Sequence, residues 1–286
     1  GDSQVAIGLS LAAASVAGYP NGIMYSRASS SSRCWMTSGL VPAVVTLCVV
    51  VGCSVVPETG RRQLVMMSPA EEANLGFQAF QQYKKQKPIS RNGALAARIR
   101  RVGQRIASVA NVPSARWEFV LFEDGEPNAF AVPGGKVGVN TGIMQIAQSD
   151  AGLATIIGHE VGHLIARHAE ERASQSQVTQ LGTSLLGTMI PESGLLGTGV
   201  GVGAKLGLLS FSRKHELEAD EIGAILMARA GYDPREAVGF WQRFADYKQQ
   251  SRSGASLEFL STHPLDGRRI QALQAYLPRA LAEYRR

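Results

Sequence analysis

Residues 153–166, LATIIGHEVGHLIA, set two histidines and a glutamate into an otherwise apolar run that holds no lysine, arginine or proline. Ile156, Ile157, Leu164 and Ile165 flank the polar positions, the composition of a buried helix and not of a surface one. His159 and His163 are four residues apart, so on a helix both imidazoles project from one face and can bind the same ion. Glu160 lies one step round, within reach of a water on that ion. Zinc lowers the pKa of such a water to about 7. Glu160 is then placed to take its proton as the water attacks a peptide carbonyl, and to hand that proton to the leaving amine.

Zinc catalysis needs a third protein ligand and an open position. The segment His215-Glu216-Leu217-Glu218-Ala219-Asp220 offers candidates. Glu216 and Asp220 are four apart and share a helix face, whereas Glu218 is turned about 200° from Glu216. The reading is therefore Glu216 as third ligand and Asp220 as the acceptor that orients a ligand histidine. All three cysteines, Cys34, Cys48 and Cys53, precede residue 54, so a cysteine zinc site or a disulfide framework is excluded from the rest of the chain. The net charge of +6 is scattered and not interleaved with aromatics, which argues against a nucleic-acid partner.

The N-terminal part reads as an address. LVPAVVTLCVVVG at 40–52 is short for a membrane span and suited to a signal-peptide core, with Arg27 and Arg33 before it. Residues 1–53 are expected to be a targeting segment and 54–67 a linker to a domain at 68–286. Along that domain, Ser68 with Glu71 forms a capping-box pattern that opens a helix to Lys85. Leu95, Ile99, Val102 and Ile106 give a second helix over 92–110, and WEFVLFE at 117–123 a strand. Pro133-Gly134-Gly135 turns between strands at 129–132 and 136–140. Asp150 opens a helix expected to run from 151 to about 174. Leu181 to Leu209 is rich in Gly and Leu and reads as a mobile loop, lid or helical hairpin. Helices over 212–230, 234–250 and from 265 onward complete an α+β, mainly helical zincin-type fold with a small sheet beside the motif helix.

HEVGH, SRKHELEAD at 212–220, STHPLDGRR at 261–269 and NAFAVPGG at 128–135 together resemble the zinc metallopeptidase family of HtpX, the Oma-type proteases and the CAAX prenyl endopeptidases. The nearest resemblance is to bacterial periplasmic lipoprotein peptidases of the LoiP and BepA kind, and it covers about 68–286. In that family H-E-x-x-H is followed by E-x-x-x-D, matched by Glu216 and Asp220. The resemblance implies that His263 approaches the zinc and fills its open position, that Arg269 stabilises the substrate oxyanion, and that an edge strand made by Lys136, Val137, Gly138, Val139 and Asn140 binds extended substrate. His168 and His215 match no ligand position and read as structural.

VVGCS at 50–54 resembles a lipobox in which Cys53 is lipidated, and Ser54 after it favours the outer membrane by the same resemblance. The implied protein is an envelope endopeptidase of protein quality control, on the periplasmic face of the outer membrane. Its partners would be one zinc ion, misfolded or unassembled proteins and outer-membrane assembly machinery. The alternatives are a chaperone-like assembly factor that seldom cleaves and a stress protease of the mitochondrial inner membrane.

Overall fold

A computed structural model describes residues 53–189, 211–250 and 258–284. Residues 1–52 of the targeting segment read over 1–53, and residues 190–209 of the Gly/Leu-rich stretch, lie outside the described residues. A hairpin opens the described part, with β1 (Cys53–Val55) antiparallel to β2 (Arg62–Leu64). Two helices follow, α1 (Pro69–Gln86) and α2 (Gly93–Val109). The capping box is formed in full: the Ser68 side chain accepts from the Glu71 N–H, and the Glu71 carboxylate accepts from the Ser68 N–H.

The second sheet holds β3 (Glu118–Phe122), β4 (Ala129–Val132) and β5 (Lys136–Asn140) in the order β3-β5-β4. β5 runs parallel to β3 and antiparallel to β4, and Gly134 and Gly135 make the turn into it with φ of +85° and +78°. A 3₁₀ turn at Thr141–Ile143 and the short α3 (Met144–Ala147) lead to α4 (Asp150–Ile165), capped by Ser149. Next come α5 (His168–Met189), α6 (Arg213–Arg229) capped by Ser212, α7 (Glu236–Gln250), the short α8 (Glu258–Thr262) and α9 (Gly267–Tyr284). Among the described residues no helix is long and apolar enough to cross a membrane.

Three sequence expectations change. The stretch expected as a linker is a docked hairpin, because Val56 is buried in the main core and Arg61 reaches α5 and α6. The helix expected to run to Ser174 is two helices, broken where Arg167 takes φ +50°. Arg167 is held there by the Glu72 carboxylate of α1 and donates to the Met67 carbonyl at 2.8 Å. Residues 181–189, the start of the stretch read as a mobile loop, lid or helical hairpin, are helical and continue α5, which excludes an irregular loop at those positions. The short helices α3 and α8 were not anticipated.

The core lies between α2, the sheet, α4, α6 and α7. Ile99, Ile106, Leu121, Ile156, Ile157, Val161, Phe240 and Phe244 are each buried in it. α4 and α6 approach closely because both present glycine at the crossing. A Cβ on Gly162 would stand 2.7 Å from the Ala219 carbonyl oxygen, and one on Gly223 would stand 2.9 Å from the His159 nitrogen. Backbone against backbone is thus what sets the distance between the motif helix and the helix of Glu216 and Asp220.

The break at Arg167 also creates a buried acid. Glu170 faces Glu72, Arg167 and Arg172, and burial together with the Glu72 charge pushes its carboxyl up to about 7 against the opposing arginines. The folded-state pKa is raised, so the contribution to stability is complete below the unfolded value of 4.5 and is lost as pH rises through about 7. Glu170→Gln removes that loss. The variant is expected to match the parent at about pH 4 and to exceed its unfolding free energy by roughly 3 kcal/mol at about pH 8. Urea unfolding at the two pH values checks it, and an equal effect at both would rule out the titration of Glu170 as the cause.

Candidate metal centre

α4 and α6 bring His159, His163 and Glu216 together, and the segment after α8 adds His263. The ligand atoms of these four residues lie within 4.8 Å of one another, and all four residues are buried. His159 Nε2 and His163 Nε2 are 3.1 Å apart, so both rings aim at a common point. Glu216 Oε1 lies 3.4 Å from His163 Nε2 and 3.1 Å from His263 Nδ1. Three imidazoles and a carboxylate at these distances form the N/O donor set that suits a divalent transition ion.

The surrounding contacts orient the donors. Asp220 Oδ1 is 2.9 Å from His159 Nδ1, which leaves Nε2 of that ring for a metal. Arg269 ion-pairs with Asp220 at 2.5 Å through Nε and with Glu216 at 2.6 Å through Nη1, and its guanidinium lies 4.0 Å over the Trp241 ring. The Trp241 ring also meets His159 edge-on, Phe259 stacks on His263, and Phe211 packs on His163 at 4.0 Å. The centre is therefore walled by aromatic rings that keep the donors dry and fixed.

Its electrostatics favour a cation. Burial and Arg269 pull His159 down, but Asp220 and Glu216 outweigh them and push it up to about 9. Burial holds His163 well below the usual imidazole range, the neutral form that ligation requires. Burial raises Glu216, but the Arg269 and His263 charges more than offset it and hold the carboxylate well below its ordinary value. With His159 held protonated by two carboxylates, the cluster attracts positive charge, and a metal ion can take the place of that proton.

Glu160 faces the same point from the other side. Its Oε2 accepts from the Ala131 N–H of β4 at 3.2 Å, while Oε1 is buried with no hydrogen-bond partner among the described residues and lies 3.7 Å from His263 Nε2. Burial pushes its carboxyl upward, against the nearby His263 and His159. A buried carboxylate oxygen left open beside a donor cluster is what a general base toward a water needs.

Two expectations for this site are corrected. Lys136 to Asn140 is not an edge strand: β5 is hydrogen-bonded to β3 on one side and β4 on the other, and all five residues are buried. The edge on the side of Glu160 is β4. Nor is Arg269 free to bind an oxyanion. It is buried, and its Nε and both Nη nitrogens are engaged with Asp220 and Glu216, so it braces the donors from behind.

The sequence reading treated His168 as structural, yet its Nδ1 lies 2.9 Å from His163 Nδ1. On an unbroken helix, five residues on from His163 is about 140° round. The turn at Arg167 brings His168 back, and no feature of the sequence announced that turn.

The model of peptidase family M48 matches residues 94–277, which contain every residue of this cluster. The chain belongs to peptidase family M48. Membership places it among the metallopeptidases, which are hydrolases and imply a metal, and the His/Glu cluster could hold one. Among curated relatives it is 36% identical over 187 residues to the mitochondrial metalloendopeptidase OMA1 of Schizosaccharomyces pombe, covering 64% of this chain and 53% of that one. It is 32% identical to OMA1 of Saccharomyces cerevisiae over 78% of this chain and 69% of the relative. The β-barrel assembly-enhancing protease of Escherichia coli is 30% identical over 75% of this chain and 45% of its own length. This M48 chain thus spans about half to two thirds of the relatives it matches, which include both mitochondrial and bacterial proteins.

Proposed function

We propose that the chain is a zinc-dependent endopeptidase that cleaves unfolded or misassembled proteins, with His159, His163 and Glu216 as zinc ligands and Glu160 as the proton-transferring base. The observation that carries this reading is the convergence of the four donor atoms within 4.8 Å beside the open Oε1 of Glu160. Zinc, when bound, supplies Lewis acidity toward a water and the scissile carbonyl. Glu160 takes the water's proton on Oε1 and returns it to the amine nitrogen of the leaving chain, while the Ala131 N–H holds its other oxygen. Asp220 keeps His159 in the tautomer that presents Nε2, and Arg269 balances the charge of both carboxylates.

Substrate enters as an added strand on β4. Ala131 turns its N–H away from β5 toward Glu160, so the outer edge of β4 passes directly beside the reacting centre. Main-chain pairing there selects extended polypeptide with little regard to side chains. His263 occupies a donor position in this resting arrangement and must yield when a substrate carbonyl arrives. His263→Ala is therefore expected to raise casein turnover by about 10-fold, on the assumption of roughly 1.4 kcal/mol for displacing it. Equal or lower turnover in a zinc-loaded variant would remove the latch.

The wider setting follows from the N-terminal reading and the relatives' names. Cys53 is proposed as a lipidation site, which would hold the peptidase on the periplasmic face of a bacterial outer membrane. One relative is named for enhancing β-barrel assembly, which supports envelope quality control near the outer-membrane assembly machinery. The mitochondrial naming of other relatives supports the second reading, an organellar stress protease. The test is bound zinc and casein cleavage by the full-length chain, with metabolic labelling of Cys53 by fatty acid in a bacterial host. About one zinc per chain with cleavage supports the peptidase; zinc without cleavage in both parent and His263→Ala favours the chaperone-like alternative. No bound zinc sinks the central claim.

A further inference from the structure

On the side of His163 away from the other ligands, a chain of polar contacts leads out of the metal centre and ends in the N-terminal hairpin. His163 Nδ1 is 2.9 Å from His168 Nδ1, and His168 Nε2 is 2.9 Å from Glu218 Oε2. Arg61, in the turn between β1 and β2, donates to Glu218 Oε2 through Nε at 2.6 Å. Its two Nη groups donate to Glu171 at 2.9 and 2.7 Å, and Glu171 lies 3.3 Å from His215 Nε2. Thr59, from the same turn, donates to Glu218 Oε1. His215 stacks on His168 at 4.3 Å and closes the other face of its ring.

Proton counting gives this chain one direction. A ring that ligates through Nε2 carries its proton on Nδ1, so His163 must donate to His168 Nδ1. His168 is then neutral with its proton on Nε2, which it donates to Glu218. Glu218 is left as an acceptor toward the Arg61 guanidinium, which can only donate. Each link has one donor and one acceptor, and reversing any of them would put two protons or none between neighbours.

We propose that Arg61 is a positioning residue for the metal centre, acting through Glu218 and His168 on His163, so that docking of the β1–β2 hairpin and metal binding are coupled. The proposal rests on the reading of His163 as a ligand. Its physical basis is that an outer partner fixes the tautomer and direction of a ligating imidazole. Arg61 fixes Glu218 in turn, with a planar fork that also grips Glu171 and so ties α5, α6 and the hairpin together. Coupling of this kind is reciprocal. Metal binding should tighten the hairpin as much as the hairpin tightens the metal.

The experiment measures zinc affinity of the full-length chain by competition with a chromophoric chelator, and the visible spectrum of the cobalt(II)-loaded protein. Arg61→Ala is expected to weaken zinc binding by about 10- to 100-fold and to shift the cobalt bands. Arg61→Lys should recover part of this, since an ammonium supplies the charge without the fork. Zinc should also slow hydrogen exchange at the Val56 and Gly60 amides, whose bonds to Arg61 O and Val56 O close the hairpin turn. Glu218→Gln, which keeps the size of the link and removes its charge, reads the same quantities should Arg61→Ala not fold. Zinc affinity within twofold of the parent and an unshifted cobalt spectrum, in a variant with a cooperative melt, would overturn the coupling. A parent that binds neither zinc nor cobalt would overturn the metal-site reading itself, a result the parent alone reveals.

Discussion

Glu160→Gln is expected to lower peptide hydrolysis by about 10²- to 10⁴-fold while bound zinc and the thermal melt stay at parental levels. The amide has the same size, and its oxygen can keep the bond from the Ala131 N–H. What it lacks is the basic oxygen that now stands buried and open at Oε1. Burial already disfavours charge on this carboxyl, so a neutral isostere costs the fold little. The assay is steady-state cleavage of casein at matched zinc content, with kcat and KM separated. A variant within threefold of the parent in kcat would mean that the water loses its proton elsewhere, and Glu160 would have no part in the chemistry.

Arg269→Ala is expected to cost about 3–5 kcal/mol of unfolding free energy in the metal-free protein. The size follows from what is left behind: Asp220 and Glu216 are both buried, and Arg269 neutralises both at 2.5 and 2.6 Å. The guanidinium also covers the Trp241 ring, so packing is lost with the charge. Zinc would restore part of the missing positive charge beside Glu216, and the loss should be smaller in the zinc-loaded protein. Urea unfolding with and without zinc measures the difference. A loss below about 1 kcal/mol in both forms would show that Arg269 is not the counter-charge of these carboxylates.

The motif helix, the helix that carries Glu216 and Asp220 and most element boundaries were legible in the sequence because each rests on local rules; the cap of the motif helix was not, since Ser149 and not Asp150 opens it. Spacing of four along a helix gives His159 with His163 and Glu216 with Asp220, and Ser68 with Glu71 announces a helix start. What was not legible depends on partners far along the chain. β5 reads like an edge strand when β4 alone is considered, and only its parallel pairing with β3 makes it central. The family resemblance aims Arg269 at the substrate oxyanion, whereas the fold turns it to the carboxylates. His168 and Arg61 join the site through a helix break and a hairpin, neither of which leaves a period in the sequence.

The glycines at the crossing of α4 and α6 carry a consequence for how this protein tolerates change. Where helices are separated by side chains, a core substitution lets them drift, and ligand spacing drifts with them. Here the peptide groups of Gly158, Gly162 and Gly223 already lie against the facing backbone, and there is no layer between them to thin or thicken. The crossing behaves as a mechanical stop. Core substitutions elsewhere should therefore erode thermal endurance well before they alter the dimensions of the donor cluster, so the chain can lose much of its stability margin and still present the same metal geometry until it unfolds.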